Sequence, residues 1–216
     1  MRKILFTLAA LLLCANSAQA STYIWKDKEY GFTMSFPDTW TLQTPETPST
    51  RVRVAGPVGE DLAACKIEVQ KDGRLKIYPK RLMMTGITQT LDRAFWEGKI
   101  GEHEGAIITA FDAPASMGGQ GDATAIRESY IWETGSGKVV MNGARLGSIY
   151  GDMLYIVSCS ARADAYEKYV DVFASIAGSM TLDSRYHPYE VGYYRNFLRD
   201  RKIYIPREKP GESYAE

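Results

Sequence analysis

The stretch that decides the fold reads YGFTMSFPDTW and covers residues 30–40. Large apolar residues alternate with small hydroxyl residues, which predicts a strand with one buried face and one polar face. The apolar positions are Phe32, Met34 and Phe36. Pro37 has no backbone N–H, so strand pairing is expected to end there. Trp40 is expected to fold back across the end of the sheet and bury a large apolar surface. The stretch therefore builds a core and carries no catalytic signature.

The sequence on both sides of this stretch continues the strand pattern. Tyr23 and Trp25 begin an alternating run that turns at residues 27–29, which predicts a first hairpin. Turns rich in glycine and aspartate separate further alternating runs. These runs predict strands at 50–56, 63–70, 105–113, 123–133, 138–147 and 151–160. The last four follow one another with short gaps, which is typical of an antiparallel meander.

Two segments have helical periodicity. Apolar residues recur at helical spacing in 83–97, and Gly98 is expected to take the left-handed conformation at the end of that helix. A second apolar stripe predicts a helix over 164–177 that Asp164 caps and Gly178 ends. Many strands with two amphipathic helices predict an α+β domain, an antiparallel β-sheet with helices packed on it.

The N-terminal segment has the pattern of a secretory signal peptide. Arg2 and Lys3 precede a short apolar run, and a small-x-small site ends at Ala20. Cleavage there predicts an exported, periplasmic protein whose mature chain has no membrane-spanning segment. The alternative is a lipoprotein acylated on Cys14, but Leu13 stands where a small residue is expected.

The mature chain has an almost balanced charge. Loss of Arg2 and Lys3 leaves 24 basic and 26 acidic side chains. A nucleic-acid-binding protein should carry a basic face, so this class is not favoured. The expected organisation is a signal peptide over 1–20, one domain over 21–183 and a tyrosine-rich extension over 184–216.

Two cysteines remain in the mature chain, Cys65 and Cys159. Each lies in an alternating apolar pattern, so each can face the core from a strand. In an exported protein such a pair predicts a disulfide. The alternative is two buried free thiols that behave as small hydrophobic residues.

The opening stretch resembles the first hairpin of the PsbP-like family, whose fold is shared by the Mog-like proteins and the periplasmic DcrB-like proteins. Residues 151–180, GDMLYIVSCSARADAYEKYVDVFASIAGSM, resemble the last strand and closing helix of that family. The resemblance covers about residues 22–182 and implies a PsbP/Mog-like α/β/α sandwich. It also implies a non-catalytic accessory protein, because family members mostly bind or help assemble other proteins and share no common active site.

Few residues suggest chemistry. His103 lies between Glu102 and Glu104, a cluster that could hold a divalent metal but more often forms a solvated turn. The segment ETGSGKVV, residues 133–140, superficially resembles a phosphate loop, but a hairpin turn explains it better. No catalytic, cofactor-binding or metal site is therefore predicted.

Two segments are candidate partner-binding surfaces. The first is the glycine-rich loop 113–122 and the second is the extension, where tyrosine and arginine, typical of interface hot spots, are frequent. The candidate residues are Met117, Gln120, Tyr189, Tyr193, Tyr194, Arg195 and Tyr204. The alternatives are that the loop is a plain connection and that the extension wraps its own domain.

The sequence thus predicts an exported accessory protein that binds a protein partner in the cell envelope or secretion machinery and does no chemistry. One alternative is a small-ligand-binding or metal-binding, enzyme-like protein that uses a cleft beside the sheet. Another is a periplasmic immunity or inhibitor protein acting against a toxin.

Overall fold

The computed structural model describes residues 21–76, 78–118 and 122–183, and the predicted signal peptide and extension lie outside these ranges. The described strands are β1 (Thr22–Asp27), β2 (Phe32–Pro37), β3 (Thr41–Gln43), β4 (Thr50–Ala55), β5 (Ala64–Lys71), β6 (Glu104–Ala115), β7 (Ala123–Thr134), β8 (Gly137–Tyr150), β9 (Met153–Arg162) and β10 (Thr181–Leu182). The α-helices are α1 (Met83–Thr90), α2 (Arg93–Ile100) and α3 (Tyr166–Gly178). The predicted α+β class is confirmed.

The strands form a large sheet and a small sheet. The large sheet has the order β3-β4-β5-β9-β8-β7-β6, and the small sheet has the order β1-β2-β10. All neighbouring strands are antiparallel. Strands β6 to β9 follow one another across the sheet, so the predicted meander is confirmed, and its tight β7–β8 turn occupies the phosphate-loop-like segment.

The predicted first hairpin is present as β1 and β2. The carboxylate of Asp27 accepts hydrogen bonds from the backbone N–H groups of Glu29 and Tyr30, which fixes the turn. Trp40 is 5% exposed and packs edge-on against Tyr169 and Phe173 of α3. The large apolar side chains of β2 are also buried, as the opening stretch predicts: Phe32, Met34 and Phe36.

Both faces of the large sheet carry other elements, which gives three layers. The small sheet and α3 cover one face and share a core with it. On the other face α1 and α2 pack through Ile87, Leu91 and Trp96 against the sheet. Gly147 permits this contact, because a Cβ there would lie 2.9 Å from the Trp96 ring. The helices cover only one end of this face.

The prediction of one continuous helix over 83–97 is wrong. The chain forms two short helices with a break at Leu91 and Asp92. Asp92 has an extended backbone, and its side chain accepts a hydrogen bond from the N–H of Phe95, so it begins a new helix. Gly98 therefore lies inside α2, which continues to Ile100, and it does not end a helix.

The last helix begins two residues later than predicted. Its N-cap is Ala165, and none of the described side chains caps it. The carboxylate of Asp164 instead accepts a hydrogen bond from Arg162 at 2.6 Å, which corrects the predicted cap. The helix ends at Gly178, one residue beyond the predicted last position 177.

The predicted disulfide is confirmed. Cys65 on β5 and Cys159 on β9 are directly opposite each other and are bonded. Both are buried on the face that packs against α3. A disulfide of this kind is compatible with an exported protein. Within the described ranges, none of the helices combines the length and apolar character needed to span a bilayer.

Candidate functional site

An open cleft of about 290 Å³ lies on the large sheet where α1 and α2 stop covering it. Strands β4, β5, β9, β8 and β7 supply its floor, and the chain between β4 and β5 forms one wall with Val58 and Leu62. His103, in the turn that follows α2, stands at the opposite wall. We refer to this feature as the sheet cleft.

The depth of the sheet cleft comes from a row of small side chains across four strands. Residues paired between neighbouring strands share a face, so this row can be read from the strand register. The row consists of Ala55, Ala64, Ser160 and Gly143. It ends at Glu128, the partner of Gly143 on β7. A Cβ at residue 143 would lie 3.2 Å from the Glu128 Oε1, so the glycine leaves room for that carboxylate.

A polar row runs beside the small one. It consists of Arg53, Lys66, Ser158 and Arg145, one residue from each of the same four strands. Arg53 pairs with Glu46, and Lys66 pairs with Glu68 at 3.3 Å. The two rows together place charged and hydroxyl groups beside an open groove.

The centre of the site is a buried ion pair. Arg145 Nε donates to Glu128 Oε1 at 2.8 Å, and the two side chains are only 8% and 3% exposed. A buried charge is costly unless it is paired and hydrogen-bonded. The pair gives Glu128 Oε1 a hydrogen bond, and Glu128 Oε2 is not part of it.

Three buried polar atoms of the sheet cleft have no hydrogen-bond partner among the described residues. They are Glu128 Oε2, Ser158 Oγ and Arg53 Nε. Buried polar atoms are nearly always hydrogen-bonded, and each one left unpaired costs about 1–3 kcal/mol. All three residues line the cleft. A bound molecule with donors and acceptors would supply the missing partners.

Aromatic rings form one wall of the sheet cleft. His103 stacks on Tyr130 with ring centroids 4.5 Å apart, and Trp132 contacts the histidine ring at 5.8 Å. The Tyr130 hydroxyl donates to Ser160 Oγ at 3.2 Å, which joins this wall to the floor. Trp132 is 39% exposed, so its ring remains available to a ligand.

The surroundings of the His103 imidazole favour its uncharged form. Burial lowers its pKa below the usual 6.5, and the positive charge of Arg145 lowers it further.

Glu104 is directed to another partner, because both of its carboxylate oxygens accept hydrogen bonds from Lys138. Within the described ranges no group of three or more His, Cys, Asp or Glu side chains is suitably placed to hold a metal ion. The hypothesis of a metal at Glu102, His103 and Glu104 therefore gains no support.

We expect His103 to titrate below pH 6.5 in the folded protein. The unfolded chain then binds more protons as the pH falls below 6.5, so this histidine lowers the stability of the folded state in that range. NMR titration of the histidine ring signals from about pH 4 to pH 8 measures the pKa directly. A His187→Gln variant assigns the two signals. A His103 midpoint at or above 6.5 would contradict the buried, stacked geometry.

The predicted partner-binding residues are not brought together at this site. Met117 is fully buried and packs in the core shared with α3, so its side chain is not available to a partner, and its predicted role is corrected. Gly118 has a positive φ and lies against the Met180 backbone, so this part of the predicted loop is packed. The other candidates lie outside the described residues: Gln120, Tyr189, Tyr193, Tyr194, Arg195 and Tyr204.

Sequence reasoning located His103 but missed the ion pair. The pattern that reveals the pair is a charged residue in a strand where every second residue is buried. The charged residue stands at one of the buried positions. On β7, Glu128 falls between the inward-facing Ile126 and Tyr130. On β8, Arg145 falls in the same series as Met141. An acid and a base at inward positions of neighbouring predicted strands therefore indicate a buried pair.

Comparison with solved structures returns proteins that are similar in fold. The chain is similar to the cyanobacterial PsbP (CyanoP) of Synechocystis sp. PCC 6803, at 12% identity and a TM-score of 0.48 over 79% of this chain and 97% of that one. LpqN, involved in cell envelope biogenesis of Mycobacterium tuberculosis, matches at 14% identity and a TM-score of 0.44 over 75% of this chain and 90% of that one. A Mog1 mutant matches at 9% identity and a TM-score of 0.43 over 77% of this chain and 99% of that one.

CyanoP and Mog1 bear the names of the two groups that the sequence resembles. At these identities the likeness concerns the fold alone. No protein-family model and no curated protein sequence matches the chain.

Proposed function

We propose that this chain is an exported, non-catalytic accessory protein of the cell envelope and that it binds its ligand or partner in the sheet cleft. The observation that carries the proposal is the set of three buried polar atoms that have no hydrogen-bond partner among the described residues: Glu128 Oε2, Ser158 Oγ and Arg53 Nε. A fold that leaves such atoms unpaired at one place loses stability there. The loss is recovered when a bound molecule supplies the hydrogen bonds.

The non-catalytic role is supported by how the cleft residues are arranged. An activated serine nucleophile needs a general base within hydrogen-bond reach. Ser158 Oγ has no such neighbour in the part of the chain that the structure describes. Glu128 is held by Arg145, and His103 lies flat against Tyr130. These contacts suit recognition better than proton transfer.

The compartment and domain limits are part of the same proposal. The signal-peptide pattern of residues 1–20 and the disulfide both suit a periplasmic protein. We place the binding domain at 21–183 and treat 184–216 as an extension that provides a second contact to an envelope partner.

The proposal is tested by photo-crosslinking in the cell of origin. A photoreactive amino acid replaces Val58, which lines the sheet cleft and is 40% exposed. The matched control replaces Ile24, which is 67% exposed on β1 and does not line the cleft. We expect a defined adduct from residue 58 and none from residue 24.

The same experiment with a chain ending at Ser184 tests the extension. Loss of the adduct would place part of the binding energy in residues 185–216, and an unchanged adduct would assign binding to the cleft alone. Equal labelling from residues 58 and 24, or no specific adduct from residue 58, would contradict the proposed function.

A further inference from the structure

The chemistry of the sheet cleft also specifies the class of ligand. We infer that the cleft binds an uncharged, hydroxyl-rich ring, that is, a neutral saccharide unit. The inference rests on the proposed function, because it takes the cleft to be the binding site. Four features of the cleft support it: its charge balance, its unpaired atoms, its aromatic wall and its size.

The charge balance disfavours a strongly charged ligand. A cation placed at Glu128 Oε2 would stand beside Arg145, whose Nε is 2.8 Å from the other oxygen of the same carboxylate. An anion placed near Arg145 would meet the charge of Glu128. The remaining basic groups of the floor, Arg53 and Lys66, already have the carboxylates Glu46 and Glu68 as partners. A neutral molecule avoids all of these repulsions.

The unpaired atoms require both donors and acceptors from the same molecule. Glu128 Oε2 needs a donor, Arg53 Nε needs an acceptor, and the Ser158 hydroxyl takes either. A hydroxyl group donates one hydrogen bond and accepts others. Several hydroxyls on one ring therefore match this mixture without bringing a net charge into the cleft.

The aromatic wall suits the apolar side of such a ring. A saccharide has hydroxyl edges and a face of C–H groups, and an aromatic ring offers a flat apolar surface to that face. Trp132 presents such a surface, and burial favours the uncharged form of its neighbour His103. The polar floor and the aromatic wall line the same cleft, so one ring can contact both.

The size of the cleft favours one or two rings over an extended peptide. Its volume of about 290 Å³ is at the lower end of typical ligand pockets, about 300–1,000 Å³. The backbone groups of the floor are already paired between neighbouring strands of the sheet. A peptide lying across this face cannot add to the sheet by its own backbone.

The test is a binding titration of the mature chain, residues 21–216, followed by NMR and calorimetry. The probes are three neutral disaccharides, maltose, cellobiose and di-N-acetylchitobiose. The comparison probes are trialanine, a peptide whose two terminal charges cancel, and glucose 6-phosphate, an anionic sugar. We expect at least one disaccharide to bind and to shift the backbone amide signals of Ser158 and Trp132, and we expect neither comparison probe to bind as tightly.

Two variants test the contacts that we assign. Ser158→Ala removes a hydroxyl that bonds to no other group in the described part of the chain, so it should leave the fold intact and weaken disaccharide binding about 3- to 10-fold. Trp132→Ala removes an exposed ring and should weaken binding by about 10-fold or more. Tyr23→Ala, at an exposed aromatic residue on β1 that does not line the cleft, is the matched control and should leave affinity unchanged.

Each outcome bears on the inference. Disaccharide binding that weakens in both cleft variants and not in the control supports it. Tighter binding of trialanine or glucose 6-phosphate in the cleft overturns the saccharide inference and leaves the proposed function standing. No binding of any probe, or equal affinity in all variants, overturns the saccharide inference as well. The crosslinking at residue 58 then decides separately whether the cleft is a binding site.

Discussion

Reduction of the disulfide between Cys65 and Cys159 is expected to lower the free energy of unfolding by about 4–5 kcal/mol. The two cysteines are separated by 94 positions in the sequence. In the chain-entropy model, a cross-link over a loop this long removes much of the conformational freedom of the unfolded chain. The bond joins β5 to β9, strands that are adjacent in the large sheet and distant in the sequence.

Urea unfolding of residues 21–216 with and without reductant measures this loss. In thermal unfolding the same loss should lower Tm by about 8–20 °C for a domain of this size. The matched control is the double variant Cys65→Ala/Cys159→Ala, which should be as unstable as the reduced protein and insensitive to reductant. A loss below about 1 kcal/mol would show that the sheet holds β5 and β9 together without the bond.

The strands and the disulfide could be predicted because both follow from local patterns. Alternation of apolar and polar residues predicts each strand and its buried face. The short gaps between the successive strands from β6 to β9 predict the meander. Cys65 and Cys159 each fall on the buried side of such a pattern. The predicted cleavage at Ala20 leaves two cysteines, so one pairing was possible.

The errors arose where one side chain decides between competing local structures. Asp92 lies within the segment 83–97 that has helical periodicity, and this periodicity gives no sign that its carboxylate accepts a hydrogen bond from the N–H of Phe95 and starts a second helix. Asp164 is a residue type that commonly caps helices, but its carboxylate accepts a hydrogen bond from Arg162 instead. Both outcomes depend on hydrogen bonds between neighbours, which hydrophobic periodicity does not encode.

The candidate site could be predicted only in part, because it depends on register across several strands. His103 was recognised as unusual from its neighbours in the sequence. Its stacking on Tyr130 requires that α2 ends beside β7. The row of small residues that opens the cleft is dispersed over β4, β5, β9 and β8 and becomes a row only after pairing.

The second large effect concerns the ion pair of the sheet cleft. Arg145→Met is expected to lower the free energy of unfolding by about 3–5 kcal/mol, because it leaves the Glu128 carboxylate buried without its charge partner. Urea unfolding at neutral pH measures the change. Arg93→Met is the matched control. Its pair with Glu97 is exposed on α2, so the expected loss is only about 0.3–0.5 kcal/mol.

The double variant Glu128→Leu/Arg145→Met separates stability from recognition. Replacing both members of a buried pair with apolar residues of similar volume is often neutral or stabilising, so this variant should recover most of the loss. It also removes Glu128 Oε2, the acceptor that the proposed ligand requires. We therefore expect a chain that is nearly as stable as the original and no longer binds in the sheet cleft. If the double variant stays unstable, the ion pair itself is needed to hold the strands of the cleft floor together. If the double variant still binds, Glu128 does not contact the ligand.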